Sequence, residues 1–174
     1  MTHHSTSDVS PPKSDRLLVA AGVLLGMGFA GFFDGIVLHQ ILQWHHMLTS
    51  VRPTNSLEDL EANTFWDGVF LMAASVFTAT GLILLWRSTH QQSRLSSTKV
   101  LVASLLLGTG GFNLVEGLID HHWLGIHHVK SGSNELAWDI GFLLLNLVLG
   151  LVGVWLLREQ RSPQPSGTDT PAST

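Results

Sequence analysis

Four apolar stretches, 17 to about 42, 65–86, 100 to about 118 and 136–157, decide what this chain can fold into. Each is near the ~20 residues that a helix needs to cross ~30 Å of hydrocarbon. One of them alone could be a buried core helix. Four in 174 residues leave almost no polar surface to cover them. With 45% hydrophobic residues, 13% charged residues and a mean hydropathy of +0.28, the chain reads as a membrane protein before any other class. The expected fold is all-α, a four-transmembrane-helix bundle. Its first span is too long for a signal-peptide core and follows a leader without a convincing cleavage site, so it reads as a retained helix.

The chain also repeats itself. Asp34-Gly35, His39 and His45-His46 fall on Glu116-Gly117, His121 and His127-His128 when the sequence is shifted by 82, with no gap. Trp66-Asp67-x-x-Phe70-Leu71 recurs as Trp138-Asp139-x-x-Phe142-Leu143 at an offset of 72. The difference of ten assigns extra length to the first loop, where insertions are best tolerated, so 56–62 is expected to be dispensable. The bundle therefore reads as two tandem parallel two-helix repeats, 16–86 and 100–161. A cytoplasmic loop, 87–99, joins them, and disordered cytoplasmic tails, 1–15 and 162–174, flank them. Gly26 and Gly28 recur as Gly108 and Gly110 and suit close helix contact.

Seven basic residues (Lys13, Arg16, Arg87, Arg94, Lys99, Arg158 and Arg161) lie on one side of the spans, against Arg52 and Lys130 on the other. The positive-inside rule then places both termini in the cytoplasm of a multi-pass inner (plasma) membrane protein, with the histidine ends outward. Trp44, Trp66, Trp123 and Trp138 mark the outer interface; Trp86 and Trp155 mark the inner one. An even number of spans per repeat would relate the halves by a pseudo-twofold axis along the membrane normal and bring both motifs to one mouth.

Ionisable groups inside a membrane are costly, and a carboxylate matched in both copies, roughly 18 residues into its span, points to function. Without cysteine, thiolate ligands and disulfides are excluded, so a metal would be held by nitrogen and oxygen. The candidate ligands are Asp34, His39, His45, His46, Asp67, Glu116, His121, His127, His128 and Asp139. Imidazole with carboxylate suits copper, zinc or iron without choosing among them. On a straight α-helix His39 and His46 share a face but sit ~10 Å apart along the axis. A single ion therefore requires a break near Gln43-Trp44 and near Leu124-Gly125, and only the second copy has a glycine to make it. Asp67 has an alternative role, since Thr64-x-x-Asp67 has the form of a capping box. Asp120 and His122 have no counterparts, because Leu38 and Gln40 occupy those places; His90 has none either and is assigned no role.

The runs GFFDGIVLHQILQWHHM and NLVEGLIDHHWLGIHHV, with the two Trp-Asp pairs, resemble a family of small bacterial predicted membrane proteins filed as a domain of unknown function. The resemblance covers nearly the whole chain between its tails and implies four spans and no settled activity. A looser association with copper-handling cytochrome oxidase assembly proteins would favour copper. A weaker similarity to membrane di-iron desaturases and hydroxylases fails on the number, spacing and cytoplasmic side of their histidine boxes. The leading expectation is an outward-facing metal site for metal handling or redox chemistry in the cell envelope. The bilayer and envelope metal-handling or oxidase-assembly proteins are its expected partners, and nucleic acid is not. The alternatives are a haem b electron-transfer protein with His39 and His121 as axial ligands, and a metal-free proton or ion conductor. No Ser-His-Asp or phosphate-binding signature supports a hydrolase.

Overall fold

The computed structural model of the chain describes residues 13–91 and 97–160. Most of the two expected tails, and residues 92–96 of the expected cytoplasmic loop, lie outside the described residues; Lys13–Asp15 open the first helix. Four helices and no strand are found among the described residues: α1 (Lys13–Phe32), α2 (Leu57–Gln91), α3 (Thr98–Glu116) and α4 (Glu135–Glu159). All four are long and apolar enough to cross a membrane. α1 and α3 run on as π-helical turns, π1 (Phe33–Ile41) and π2 (Gly117–Trp123), and α2 starts at Leu57 rather than near Phe65.

The early start of α2 corrects the reading of 56–62 as surplus loop. Ser56 caps the helix, its Oγ accepting from Asp59 N at 3.1 Å and donating to Asp59 Oδ2 at 2.7 Å. The added turns bring in Asn63, fully buried, whose Oδ1 accepts from Leu48 N and whose Nδ2 donates to the Arg52 and Asp59 carbonyls. Thr64, expected to cap at Asp67, lies inside the helix with its hydroxyl on Leu60 O. Removing 56–62 would therefore take away the turns that position Asn63, the clamp on the first histidine loop.

α1 and α3 form the central pair, with α2 packed on α1 and α4 on α3. Glycine makes the pair close. A Cβ at Gly26 would enter the backbone of Leu105 and Thr109 on α3, and one at Gly108 would enter the backbone of Val23 on α1. Gly28 and Gly110 do the same toward the outer helices, against Ala74 and Thr78 on α2 and Asn146 and Gly150 on α4. Apolar side chains such as Phe33, Met72, Leu82, Leu144 and Leu151 face outward, while most buried residues are small or polar, with Leu18, Leu25, Leu38 and Val129 among them. This inversion suits lipid surroundings, where packing rather than hydrophobic burial holds helices together.

Candidate metal centre

The π-helical turns explain the spacing of the site. In an α-helix, residues five apart point about 140° away from each other. A π-helix bonds i to i+5 and stacks them. Asp34 with His39, and Glu116 with His121, are both five apart, so each carboxylate and histidine share one inward face. Each π-segment closes with another five-residue bond, Leu42 N to Val37 O at 2.8 Å and Leu124 N to Ile119 O at 2.7 Å.

The chain then breaks in both copies. Gln43 takes φ 49° and Gly125 φ 58°, and Trp44 N and Ile126 N return to the carbonyls of Leu38 and Asp120, each at 3.0 Å. The first break thus forms without a glycine, against expectation, in the left-handed conformation that is mildly unfavourable for glutamine. Beyond each turn the His-His pair folds back over the bundle.

Two triads result: Asp34, His39 and His45, and Glu116, His121 and His127, with the donor atoms of each within 4.8 Å of one another. The four imidazoles form a continuous row. Ring centroids are 4.4 Å apart for His39–His45, 4.7 Å for His45–His127, whose planes differ by 5°, and 4.8 Å for His127–His121.

Each half orients a candidate ligand of the other. His45 Nδ1 donates to Val129 O at 2.8 Å, and His127 Nδ1 donates to Met47 O at 3.1 Å. A carbonyl can only accept, so both rings carry a proton on Nδ1. Burial, helped by the neighbouring His127 and His39, pushes His45 down to about 2, so it is neutral and its Nε2 bears a lone pair. That nitrogen is buried without a hydrogen-bond partner and faces Asp34 Oδ1 at 3.7 Å. His39 Nε2 is likewise without a hydrogen bond, lying 3.1 Å from Asp34 Oδ2 but off any hydrogen-bonding direction. Acceptors collected side by side in a buried space are what a cation requires.

The other four expected ligands stand behind the triads. Asp67, 1% exposed, accepts from His39 Nδ1 at 2.8 Å, His46 Nδ1 at 2.6 Å and Met47 N at 2.9 Å. Asp139 accepts from His128 Nδ1 at 2.7 Å and Val129 N at 2.9 Å, and lies 3.4 Å from His121 Nδ1. His46 and His128 thus face these carboxylates rather than the triads. One helical turn on, Phe70 stacks on His39 at 5.7 Å and Phe142 lies against His121 at 5.8 Å, giving the repeated Phe of the Trp-Asp motif its place.

Sequence reasoning missed Gln40, which donates to Asp67 Oδ2 at 3.3 Å, and the Met47 and Val129 carbonyls. Gln40 lies four residues before Trp44 on the same turns as His39, which was a usable signal; a carbonyl has none. His122 is exposed and outside the cluster, and Asp120 lines a crevice beside Glu116. His90 bonds only its own helix, at Trp86 O.

A family model described as "Predicted membrane protein (DUF2243)" matches residues 21–160. No curated protein and no solved structure matches the chain.

Proposed function

The chain belongs to that family of predicted membrane proteins, and from this premise we propose that the histidine end of its bundle is a two-ion metal centre. Asp34, His39 and His45 hold one ion, and Glu116, His121 and His127 hold the other. The observation that supports this best lies in the first triad, where His45 Nε2, its ring proton held on Nδ1 by Val129 O, faces Asp34 Oδ1 at 3.7 Å with no hydrogen-bond partner; in the second triad His127 Nε2 is bonded to Glu116 Oε1 at 3.1 Å. A divalent ion offsets the cost of leaving such groups buried.

Two imidazoles and one carboxylate per ion is the donor set of open-sided zinc and non-haem iron sites, and imidazole also suits copper. Three protein ligands leave positions for an exchangeable ligand. That suits either the receipt and transfer of a metal or redox chemistry at it. Asp67 keeps His39 in the right tautomer through its bond to Nδ1, a role in which hydrogen-bonded carboxylates raise ligand basicity, and Asp139 stands 3.4 Å from His121 Nδ1 in the other half. We place the protein in the inner (plasma) membrane with both termini cytoplasmic and the two halves related about the membrane normal, so the centre serves the cell envelope. Metal-handling or oxidase-assembly proteins there are its natural partners.

Haem b between His39 and His121 fits poorly. The rings of His45 and His127 fill the space between them. A proton relay remains the second reading, because protons also satisfy facing acceptors.

Elemental analysis of protein purified without chelator or affinity histidines decides between them. Two ions per chain are expected, one for each triad. His39→Ala and His121→Ala should each lose about half of the metal, the double variant nearly all, and His90→Ala none. Unchanged stoichiometry in both single variants, still folded in detergent, would exclude them as ligands. Negligible metal together with proton flux in liposomes would put the relay first.

A further inference from the structure

The crevice between α1 and α4 is lined by none of the six triad residues. The two helices do not pack on each other; both rest on α3, leaving a space of about 540 Å³. That volume is within the range of small-molecule sites, roughly 300–1,000 Å³. Its walls are apolar, with Phe29, Phe33 and Leu38 on one side and Phe142, Leu145 and Leu149 on the other. The polar groups on its floor are already satisfied: Thr109 Oγ1 donates to Gly26 O at 3.1 Å, and Asn113 Nδ2 donates to Asn146 Oδ1 at 2.8 Å. An apolar occupant therefore leaves no buried group unpaired.

The outer end of the crevice is different. Trp44 and Trp138 line it, and Lys130 Nζ lies 5.0 Å from the centre of each ring. The rings hold the ammonium in place without using its hydrogen-bonding protons. Among the described residues no carboxylate is within ion-pair distance of Lys130, whereas Arg52, the other basic residue at this end, is engaged by Glu58 at 3.2 Å and Asp59 at 3.0 Å. A positive charge thus stands over the mouth of an apolar groove, at the tryptophan level where lipid headgroups lie.

We propose that this crevice binds one anionic phospholipid, with an acyl chain in the groove and the headgroup phosphate on Lys130. Helix packing by itself does not generate such a site. The crevice between α2 and α3 is lined by the repeat-equivalent Phe70, Phe112 and Val115, yet holds about 210 Å³ and carries Asp120 and Glu116. Asp120 stands there where Leu38 stands in the larger groove. The proposal is independent of any metal at the triads.

The test uses the full chain, purified and delipidated, then equilibrated with mixed phosphatidylglycerol and phosphatidylcholine and examined for retained lipid by native mass spectrometry. One phosphatidylglycerol per chain should be retained, preferred about fivefold over phosphatidylcholine, as expected for one basic residue at a lipid surface. Excess inorganic phosphate should not displace it. Lys130→Gln should abolish the preference while still retaining a lipid. Gly141→Phe should abolish retention of both lipids, and it should fold, because a Cβ at Gly141 meets nothing within 4 Å; unchanged helicity checks this. Equal retention of the two lipids by the unaltered chain, or retention by Gly141→Phe as strong as before, would overturn the proposal and leave ordinary surrounding lipid. Displacement by phosphate alone would overturn it too. So would conversion of a dimer to a monomer by Gly141→Phe, since a second copy would then be the occupant.

Discussion

A buried aspartate that receives four hydrogen bonds does its work through the groups that donate them. Asp67 takes the Nδ1 protons of His39 and His46, the amide of Met47 and the side-chain amide of Gln40, and so leaves His39 Nε2 free toward Asp34. In Asp67→Asn one oxygen becomes an NH2, which cannot accept a proton from either ring. With the negative charge gone, the proton on His39 Nδ1 is held less firmly and Nε2 becomes a weaker electron donor. Metal affinity measured by chelator competition should fall about 10–100-fold, with helicity unchanged. Asp59→Asn, at the exposed start of α2, should bind as the unaltered chain does. Equal affinity in Asp67→Asn would make the carboxylate a purely structural anchor. The Trp-Asp repeat already singled out Asp67 in the sequence. What the sequence could not separate was its role from that of a helix cap, because the true cap, Ser56, lies outside the apolar stretch that marked the span.

At the level of the element, the sharp turns after π1 and π2 join the membrane helices to the histidine loops. Both need a residue in the left-handed region, and glycine fills only one of the two positions. A Cβ at Gly125 meets nothing within 4 Å, so Gly125→Ala tests the backbone alone. It should lower stability by about 1–2 kcal/mol, the cost of that conformation for a residue with a side chain. Gln43→Gly removes the same strain but adds freedom to the unfolded chain, at ~0.5–1 kcal/mol, and should be neutral to slightly stabilising. Thermal unfolding in detergent followed by helicity reads both. A Gly125→Ala protein as stable as its parent would mean that the turn carries no such strain. The π-segments themselves had a signature: a carboxylate and a histidine five apart in both copies place donors on opposite sides of an α-helix and on one side of a π-helix. Hydropathy could not reveal it, since it marks a span without fixing the pitch of its last turns.

For the molecule as a whole, the excess of Lys and Arg away from the histidine end leads us to expect both termini in the cytoplasm. Reporter fusions at the C-terminus should be active only when they sense the cytoplasm. Activity on the other side would put the candidate metal centre inside the cell and remove the envelope role. The four spans, the doubled donor set and the exclusion of thiolate ligands followed from the sequence by itself, because apolar length, residue type and spacing are local properties of the chain. Only the tertiary structure decided which six donors converge and which four stand behind them. That depends on the rotation of α1 and α3 about their axes, which close glycine contacts set, and on the added turns of α2. It also decided that His45 is held by the carbonyl of Val129 and His127 by that of Met47. Every residue has a carbonyl, so no side-chain pattern can announce which one will be aimed at a ligand.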